Sequence, residues 1–298
     1  MSALNPNYQD FFEARPALGR RVLAFVRGVP IGIWLAVVIA LGFLVAAVAP
    51  GLIETQNPYS INLVDRLQSP STAHLFGTDQ LGRDNFSRVV AGTRQSLLIG
   101  FGATGLALLI ALTLGLLAGM GGRWADAVVS RVIDVLFAFP VLFLALMVVT
   151  VYGASVASTL VAVGLGTTAG YARMIRGQLI AVRDAGYVEA ARVVGHPFHR
   201  IVRQHILPNA LRPLIALFTL GVGNAVIWAS GLSFLGLGVP PPAPEWGALL
   251  DAGRDYTTAA WWLEVMPGLA IVLLAVSVTV IGRHVQARLE GKARTNLI

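Results

Sequence analysis

The sequence predicts an all-α polytopic membrane protein with six transmembrane helices and both termini on the cytoplasmic side. Three observations carry this. Hydrophobic residues make up 56% of the 298 and charged residues only 12%, about half the charged share of a soluble domain, and the mean hydropathy is +0.72. Six apolar runs are each about long enough to cross roughly 30 Å of hydrocarbon as a helix. Basic residues alternate between the connecting segments in the pattern that sets topology.

The six runs are residues 29–50, 97–120, 132–152, 154–171, 213–238 and 261–282. With the N-terminus in the cytoplasm, Arg66, Arg83, Arg88, Arg94 and Arg254 fall outside and the other seventeen of the 22 Lys and Arg residues fall inside. The opposite orientation would reverse the positive-inside rule. The basic excess sits in short blocks between apolar runs, so it reads as a topology signal and not as a nucleic-acid stripe. Residues 1–28 carry Tyr8, Asp10 and Glu13 before Arg15, Arg20, Arg21 and Arg27, too long and polar for a cleaved leader. The run that follows has no small-residue cleavage site and is read as a retained first helix. The resulting organisation is a cytoplasmic segment 1–28, a first helix 29–50, an extracytoplasmic loop 51–96, a five-helix core 97–282 and a cytoplasmic tail 283–298.

Charge is nearly absent from the runs. Asp134 and Glu264 both lie close to segment ends, where contact with water serves them, and no chain of ionisable groups crosses the middle as an ion-coupled transporter requires. There is no cysteine, and the five histidines, His74, His196, His199, His205 and His284, fall outside the runs or at an end. An intramembrane nucleophile or metal site is therefore not built, and the grouping of His196, His199 and His205 reads as a polar surface. Catalytic residues are not expected. Small residues recur at Gly115 and Gly119 and at Gly164, Gly166 and Gly170. That spacing allows close backbone approach, and a helix lining a conduit also benefits from it. Pro140 removes one backbone hydrogen bond from the third run and predicts a kink near Phe137.

Between the fourth and fifth runs lies the most basic stretch, residues 184–208. Asp184 is a candidate N-cap, the interior is rich in Ala and Val, and Gly195 is a candidate stop. His196-Pro197 then predicts a turn, followed by a second helical piece over 198–207 that ends at Pro208. Composition alone permits a solvated loop. The spacing Glu189-Ala190-Ala191, Gly195, Leu207-Pro208 resembles the EAA-x3-G-x9-I-x-LP pattern of permease subunits in ATP-binding-cassette importers, with His205 where the pattern has Ile. The resemblance implies that the first short helix is a coupling helix docking in a cleft of a separate ATPase subunit, and makes Asp184, Tyr187, Glu189, Ala190, Ala191, Gly195, His205, Leu207 and Pro208 the candidate coupling residues. Ala190 and Ala191 would leave a low-relief face that a socket can approach, Glu189 can cap backbone donors or pair with a basic partner, and Gly195 lets the chain leave the helix without strain.

Two further stretches point the same way. Residues 76–97 read FGTDQLGRDNFSRVVAGTRQSL, and helical spacing from Arg83 places Phe86, Val89, Val90 and Thr93 opposite Arg83, Asp84, Ser87, Arg88 and Arg94. This predicts an amphipathic helix lying on the outer membrane surface. Residues 233–247 read SFLGLGVPPPAPEWG, whose prolines end the fifth helix and hold an extended external loop. Both resemble the dipeptide, oligopeptide, nickel and glutathione branch of the same importers, so the likeness runs from about residue 76 to about 285. It makes Gly77, Asp79, Gly82, Arg83, Asp84 and Trp246 candidates for an external or gating role, with interfacial anchoring the other reading of Trp246. Asn224, Ser230 and Ser233 on the fifth run are pathway candidates that packing would explain equally well. Asp251, Arg254 and Asp255 read as a solvated salt-bridge face.

The resemblance implies a type I importer permease fold in the cell membrane. Its partners would be a second related permease, two ATPase subunits, an extracytoplasmic binding protein and membrane lipid. No GxxxxGK[ST] loop is present, since the single lysine, Lys292, is followed by Ala293. The chain itself would thus bind no cofactor, and ATP with Mg would be used by the ATPase partners. Peptides are the implied cargo, with nickel chelates or glutathione the alternatives.

Overall fold

A computed structural model describes residues 30–289; the expectations for the N-terminal segment and the last residues of the tail lie outside them. The described residues contain no β-strand, only an isolated bridge between Thr78 and Asp84. Helix α1 is Ile31–Val48, begun by Pro30, whose missing N–H costs nothing at a helix start. Its apolar side chains are mostly exposed, as suits a helix bathed in lipid.

Helix α2, Asn85–Met120, runs for 36 residues without a break, about 54 Å at 1.5 Å per residue. The sequence predicted an amphipathic helix on the membrane surface followed by a separate span. The two are one helix, because Asp84 caps it and its first turns are covered on nearly every side: Asn85, Ser87, Arg88, Val89, Val90 and Thr93 are all buried. A helix with no open apolar face has no reason to lie on lipid.

Helices α3, Gly122–Ala138, and α4, Val141–Tyr152, replace the third predicted run. The expected kink is a full break, with the two axes bent by 86°. Pro140 forces Phe139 into extended backbone at ψ 127°, the conformation a pre-proline residue prefers. Helix α5, Val156–Arg183, is capped by Ser155, whose Oγ accepts from Ser158 N at 3.0 Å. It continues well past Tyr171 because Ala172, Ile175 and Leu179 extend its buried stripe at helical spacing.

The connection after α5 comprises α6, Gly186–Val193, α7, Phe198–Ile201, a π turn over Val202–Ile206 and α8, Leu207–Leu211. Then follow α9, Leu214–Phe234, the short outer helix α10, Trp246–Gly253, and α11, Trp262–Leu289. Four helical segments, α1, α2, the run from Phe198 to Phe234, and α11, are long and apolar enough to cross a bilayer, and the α3–α4 pair makes a fifth if it is one broken span.

Helix α5 is not among these, for a physical reason. It is the central helix, packed along α2 and flanked by α3, α4 and α9, so its neighbours are protein and its sequence is rich in Gly, Ala, Ser and Thr instead of Leu and Val. A Cβ on Gly166 would sit 2.6 Å from Val141 Cγ1, and one on Gly115 of α2 would sit 2.6 Å from Ile175 Cγ2. These close approaches are the packing meaning of the small-residue spacing. The largest core cluster is centred on Ile175, Leu179, Val188, Ile201 and Ile206, and another gathers around Val89, Leu97, Trp246 and Leu274.

Candidate functional site

The hairpin of α6 and α7 is anchored on one side and bare on the other. Val188 of α6, Ile201 of α7 and Ile206 of the π turn are buried in the same cluster as Ile175 and Leu179 of the central helix. On the opposite side Tyr187, Val193, Val194 and Phe198 are 46%, 83%, 75% and 62% exposed. An apolar crown of this kind on a polar protrusion marks a contact surface. Sequence reasoning named Tyr187 but missed Val193, Val194 and Phe198, although three large apolar residues within six positions in the most basic stretch of the chain were a visible signal.

The structure corrects three details of the predicted hairpin. Asp184 does not start α6; its N–H donates to Ile180 O at 3.1 Å and it closes α5, whose buried stripe runs on to that point. Ala185 stands at the N-cap of α6, with no side-chain cap. Ala190 is exposed but Ala191 is buried, so the low-relief outer face has one alanine, and the second lets α6 sit close to the core. The second helical piece does not end at Pro208. Leu207 N donates to Val202 O in the π turn, the ring is accommodated in the first turn of α8, and Asn209 Nδ2 donates to His205 O at 2.7 Å. The extra residue of a π turn absorbs the hydrogen bond that proline cannot make.

Gly195 ends α6 as predicted. Its N–H donates to Arg192 O at 2.9 Å and that of His196 to Ala191 O at 3.1 Å, the paired bonds of a Schellman close, and its φ of +83° is the left-handed conformation that glycine adopts without strain. Glu189 is exposed. His205 ring faces His196 at 6.3 Å between centroids, and no group of three or more His, Asp or Glu among the described residues is arranged to hold a metal. Arg176 donates to both carboxylate oxygens of Asp126 at 2.5 and 2.7 Å, Arg173 to Asp134 at 3.0 Å, and Arg183 Nη1 to Gly119 O at 3.0 Å. The cytoplasmic ends of α2, α3 and α5 are thus cross-braced just above the hairpin.

The outer candidates come together, but inward. Gly77, Asp79, Gly82, Arg83, Asp84 and Trp246 are all buried, so none presents a side chain to an external partner. Asp84 Oδ2 accepts from Ser87 N at 2.9 Å, Ser87 Oγ at 2.8 Å and Thr55 Oγ1 at 3.3 Å, while Oδ1 meets His74 Nδ1 at 3.0 Å. Asp79 accepts from Arg83 Nε at 2.6 Å and lies 3.6 Å from Arg88 Nε; Arg88 reaches on to the carbonyls of Pro58 at 3.2 Å and Pro242 at 3.5 Å. Asp79 thus pairs with two arginines while Asp84 is held by His74 and hydroxyl and backbone donors in one buried knot, the partnering that makes buried charge tolerable. Gly77 and Gly82 both have φ +69°, and a Cβ on Gly82 would lie 1.7 Å from Asn62 O. The GTDxLGRD motif is therefore a folding device that clamps the loop onto the head of α2.

Trp246 is neither an interfacial anchor nor a face for a partner. It is 0% exposed, its Nε1 donates to Val89 O at 2.8 Å, and Phe43 of α1 packs edge-on against it at 5.4 Å. The preceding Glu245 caps α10 by accepting from Gly247 N and Ala248 N, both at 3.0 Å, and from Ser96 Oγ at 3.3 Å. Burial pushes its carboxyl above the ordinary range, and those donors pull it back in part. Gly92 of α2 completes the contact: a Cβ there would lie 1.9 Å from Pro244 O. Gly92→Ala should therefore cost about 1–3 kcal/mol through overpacking, read as a lowered thermal midpoint in detergent with the secondary structure intact at low temperature.

The three pathway candidates do not share a face. Ser230 and Ser233 are buried beside Gly247 of α10; the Ser230 hydroxyl has no hydrogen-bond partner, and that of Ser233 is directed at the Glu245 carboxyl. Asn224 is exposed on another face of α9, where its amide meets no side chain of the described residues.

Residues 111–291 match the family described as binding-protein-dependent transport system inner membrane component. The chain belongs to that family. This permease is 38% identical over 258 residues to the dipeptide transport system permease protein of Alkalihalophilus pseudofirmus, covering 87% of this chain and 85% of that one. It is 37% identical to a probable D,D-dipeptide transport system permease protein of Escherichia coli, with 98% and 96% covered, and 38% identical to a glutathione transport system permease protein of Pectobacterium atrosepticum, with 93% and 90% covered. Among solved structures, an amino acid ABC transporter with histidines superposes at TM-score 0.57 and 18% identity over 67% of this permease and 94% of that chain. A MetNI methionine ABC transporter in an inward-facing conformation superposes at 0.55 and 21% over 67% and 95%. Both likenesses concern the fold. The permease is a non-catalytic, inner-membrane subunit of an ABC importer.

Proposed function

We propose that the cargo of this permease is a small peptide, handed over by an extracytoplasmic binding protein and moved at the expense of ATP hydrolysed by two partner subunits. The carrying observation is the cytoplasmic hairpin, apolar and bare outside, buried in the central helices inside. The names of the relatives support the cargo: two at 37% and 38% identity transport dipeptides. Glutathione, itself a tripeptide, is the second reading, favoured by the relative at 38% identity that transports it.

In this reading six crossings are made by α1, α2, the broken α3–α4 pair, α5, α9 and α11, with both termini cytoplasmic as the arginine distribution requires. Residues 1–28 and 283–298 then lie inside, 51–96 outside, and 184–208 forms the coupling region. A second, related permease completes the conduit. Closure of the ATPase subunits on ATP and Mg pulls the docked α6 helices together. Because α6 and the π turn are packed into α5, the pull moves the spans as rigid bodies. ATP can drive this only by binding the outward-open assembly more tightly than the resting one.

Co-purification tests the docking. ATPase subunits should follow the unaltered chain and be lost from a Glu189→Arg, Gly195→Trp double variant that still inserts. Uptake of a labelled dipeptide into proteoliposomes should need ATP and the binding protein; uptake without ATP would overturn the reading.

Asn224 is placed on the pathway because an exposed amide in an apolar span is costly against lipid. Asn224→Leu should lower uptake about five- to tenfold, the worth of one hydrogen bond to a passing polar group, while ATPase subunits still co-purify. Unchanged uptake would place Asn224 against the second permease instead.

A further inference from the structure

On the outer side of the molecule, a cavity of about 810 Å³ opens between residues 50–59 and the head of α2. From α2 it takes Ala91, Arg94, Gln95 and Leu98, positions spaced 3, 4 and 7 apart and hence one stripe of the helix. Farther down α2, Phe101 and Leu109 are 44% and 65% exposed, although the Phe101 ring also meets Phe218 of α9 at 6.0 Å between centroids. The cavity therefore stands at the outer end of the surface that a second permease would have to cover to complete a conduit.

Its charged groups are unusual for not meeting. Glu54 and Arg94 line the same cavity, yet neither takes part in any ion pair within 4.0 Å or side-chain hydrogen bond among the described residues. Burial raises the Glu54 carboxyl above its usual range, the mark of a carboxylate without a cation beside it. An acceptor of positive charge on the loop and a donor fork for carboxylate on α2, facing one cavity, are complementary to a zwitterion. A dipeptide spans about 7 Å when extended, which the cavity accommodates with room for side chains against Leu98, Tyr59 and Val156.

We propose that this cavity is a reception subsite for a small peptide with free termini, Glu54 taking the ammonium and Arg94 the carboxylate. The assignment rests on the peptide reading above and adds to it the groups that select unblocked termini within the permease itself. Transfer from a binding protein then passes through a site that holds both ends of the peptide before the conduit opens.

The test uses the whole complex, this chain with its second permease and ATPase subunits, in nanodiscs without the binding protein. Saturation-transfer NMR with Ala-Phe and with N-acetyl-Ala-Phe-amide as probes reads occupancy directly. Transfer to Ala-Phe, none to the blocked peptide, and a Kd for Ala-Phe raised about tenfold or more by Glu54→Gln and by Arg94→Gln are the expected results, the cost of one charge-assisted hydrogen bond each. Both substitutions face the cavity, and retained co-purification of the ATPase subunits shows that the variants assemble. Equal transfer to both peptides, or no change in the variants, overturns the subsite. Loss of binding-protein-stimulated ATP hydrolysis with unchanged Ala-Phe transfer also overturns it and assigns the cavity to protein docking. Proteoliposome uptake with binding protein is run in parallel. Dipeptide uptake by the unaltered complex with unaffected variants sinks the subsite alone, whereas no uptake of any peptide sinks the transport reading and the subsite with it.

Discussion

Asp84→Ala is expected to be the most destabilising single substitution in the outer half of the protein, at about 3–5 kcal/mol. One part is the lost cap of α2: the carboxylate accepts from Ser87 N at 2.9 Å, and removing a side-chain N-cap costs about 1 kcal/mol. The larger part is what stays behind. The His74 ring and the Ser87 hydroxyl, both buried, lose their closest partner and keep only Gln56 Nε2 at 3.3 Å for the ring and Thr55 Oγ1 at 3.3 Å with Gln56 N at 3.0 Å for the hydroxyl, and buried polar groups left under-satisfied cost about 1–3 kcal/mol each. The measurement is the thermal midpoint and folded yield in detergent. Asp84→Asn, which keeps an oxygen for Ser87 N, should recover part of the loss, and equal midpoints for the alanine variant and the unaltered chain would show that the knot is not holding the head of α2.

The same knot shows where sequence reading stopped. Its residue types and spacing were visible, but spacing along one helix was taken as amphipathicity, with Arg83, Arg88 and Asp84 on a wet face. What decides their burial is the loop 49–84 folding back and the carbonyls of Pro58 and Pro242 arriving from two other parts of the chain, neither of which periodicity can report. Trp246 was misplaced for the same reason: its partner Val89 is 157 positions away. The spans were legible wherever lipid is the neighbour, because lipid selects Leu, Val and Ile. Helix α5 was found by its length, but it owes its Gly and Thr content to protein neighbours, and its true end at Arg183 was hidden behind three arginines whose partners lie on α2 and α3. At the hairpin, the helix, the glycine stop and the turn at His196-Pro197 all follow from local chemistry and were readable. The π turn was not, since it arises from the need to carry Pro208 inside a continuing helix.

The hairpin also carries the second large effect. Val193→Asp with Val194→Asp should weaken association with the ATPase subunits at least a hundredfold and abolish ATP-dependent uptake. These two side chains are 83% and 75% exposed in the isolated chain, and burying a valine side chain is worth about 1.5–3 kcal/mol. The pair alone therefore supplies more than the roughly 2.7 kcal/mol that separates a hundredfold change in Kd, before any cost of desolvating the new carboxylates. Folding should not suffer, because neither valine touches the cluster of Val188, Ile201 and Ile206 that holds the hairpin to α5. Val188→Asp makes the opposite case: it places a charge at a site 0% exposed, and should destroy the hairpin and the cytoplasmic core together. Thermal midpoints separate the two, unchanged for the first variant and lowered for the second, with co-purified ATPase lost in both. If the double aspartate variant retains its ATPase partners, the exposed crown is not the docking face, and the force that moves the spans must enter elsewhere along residues 184–208.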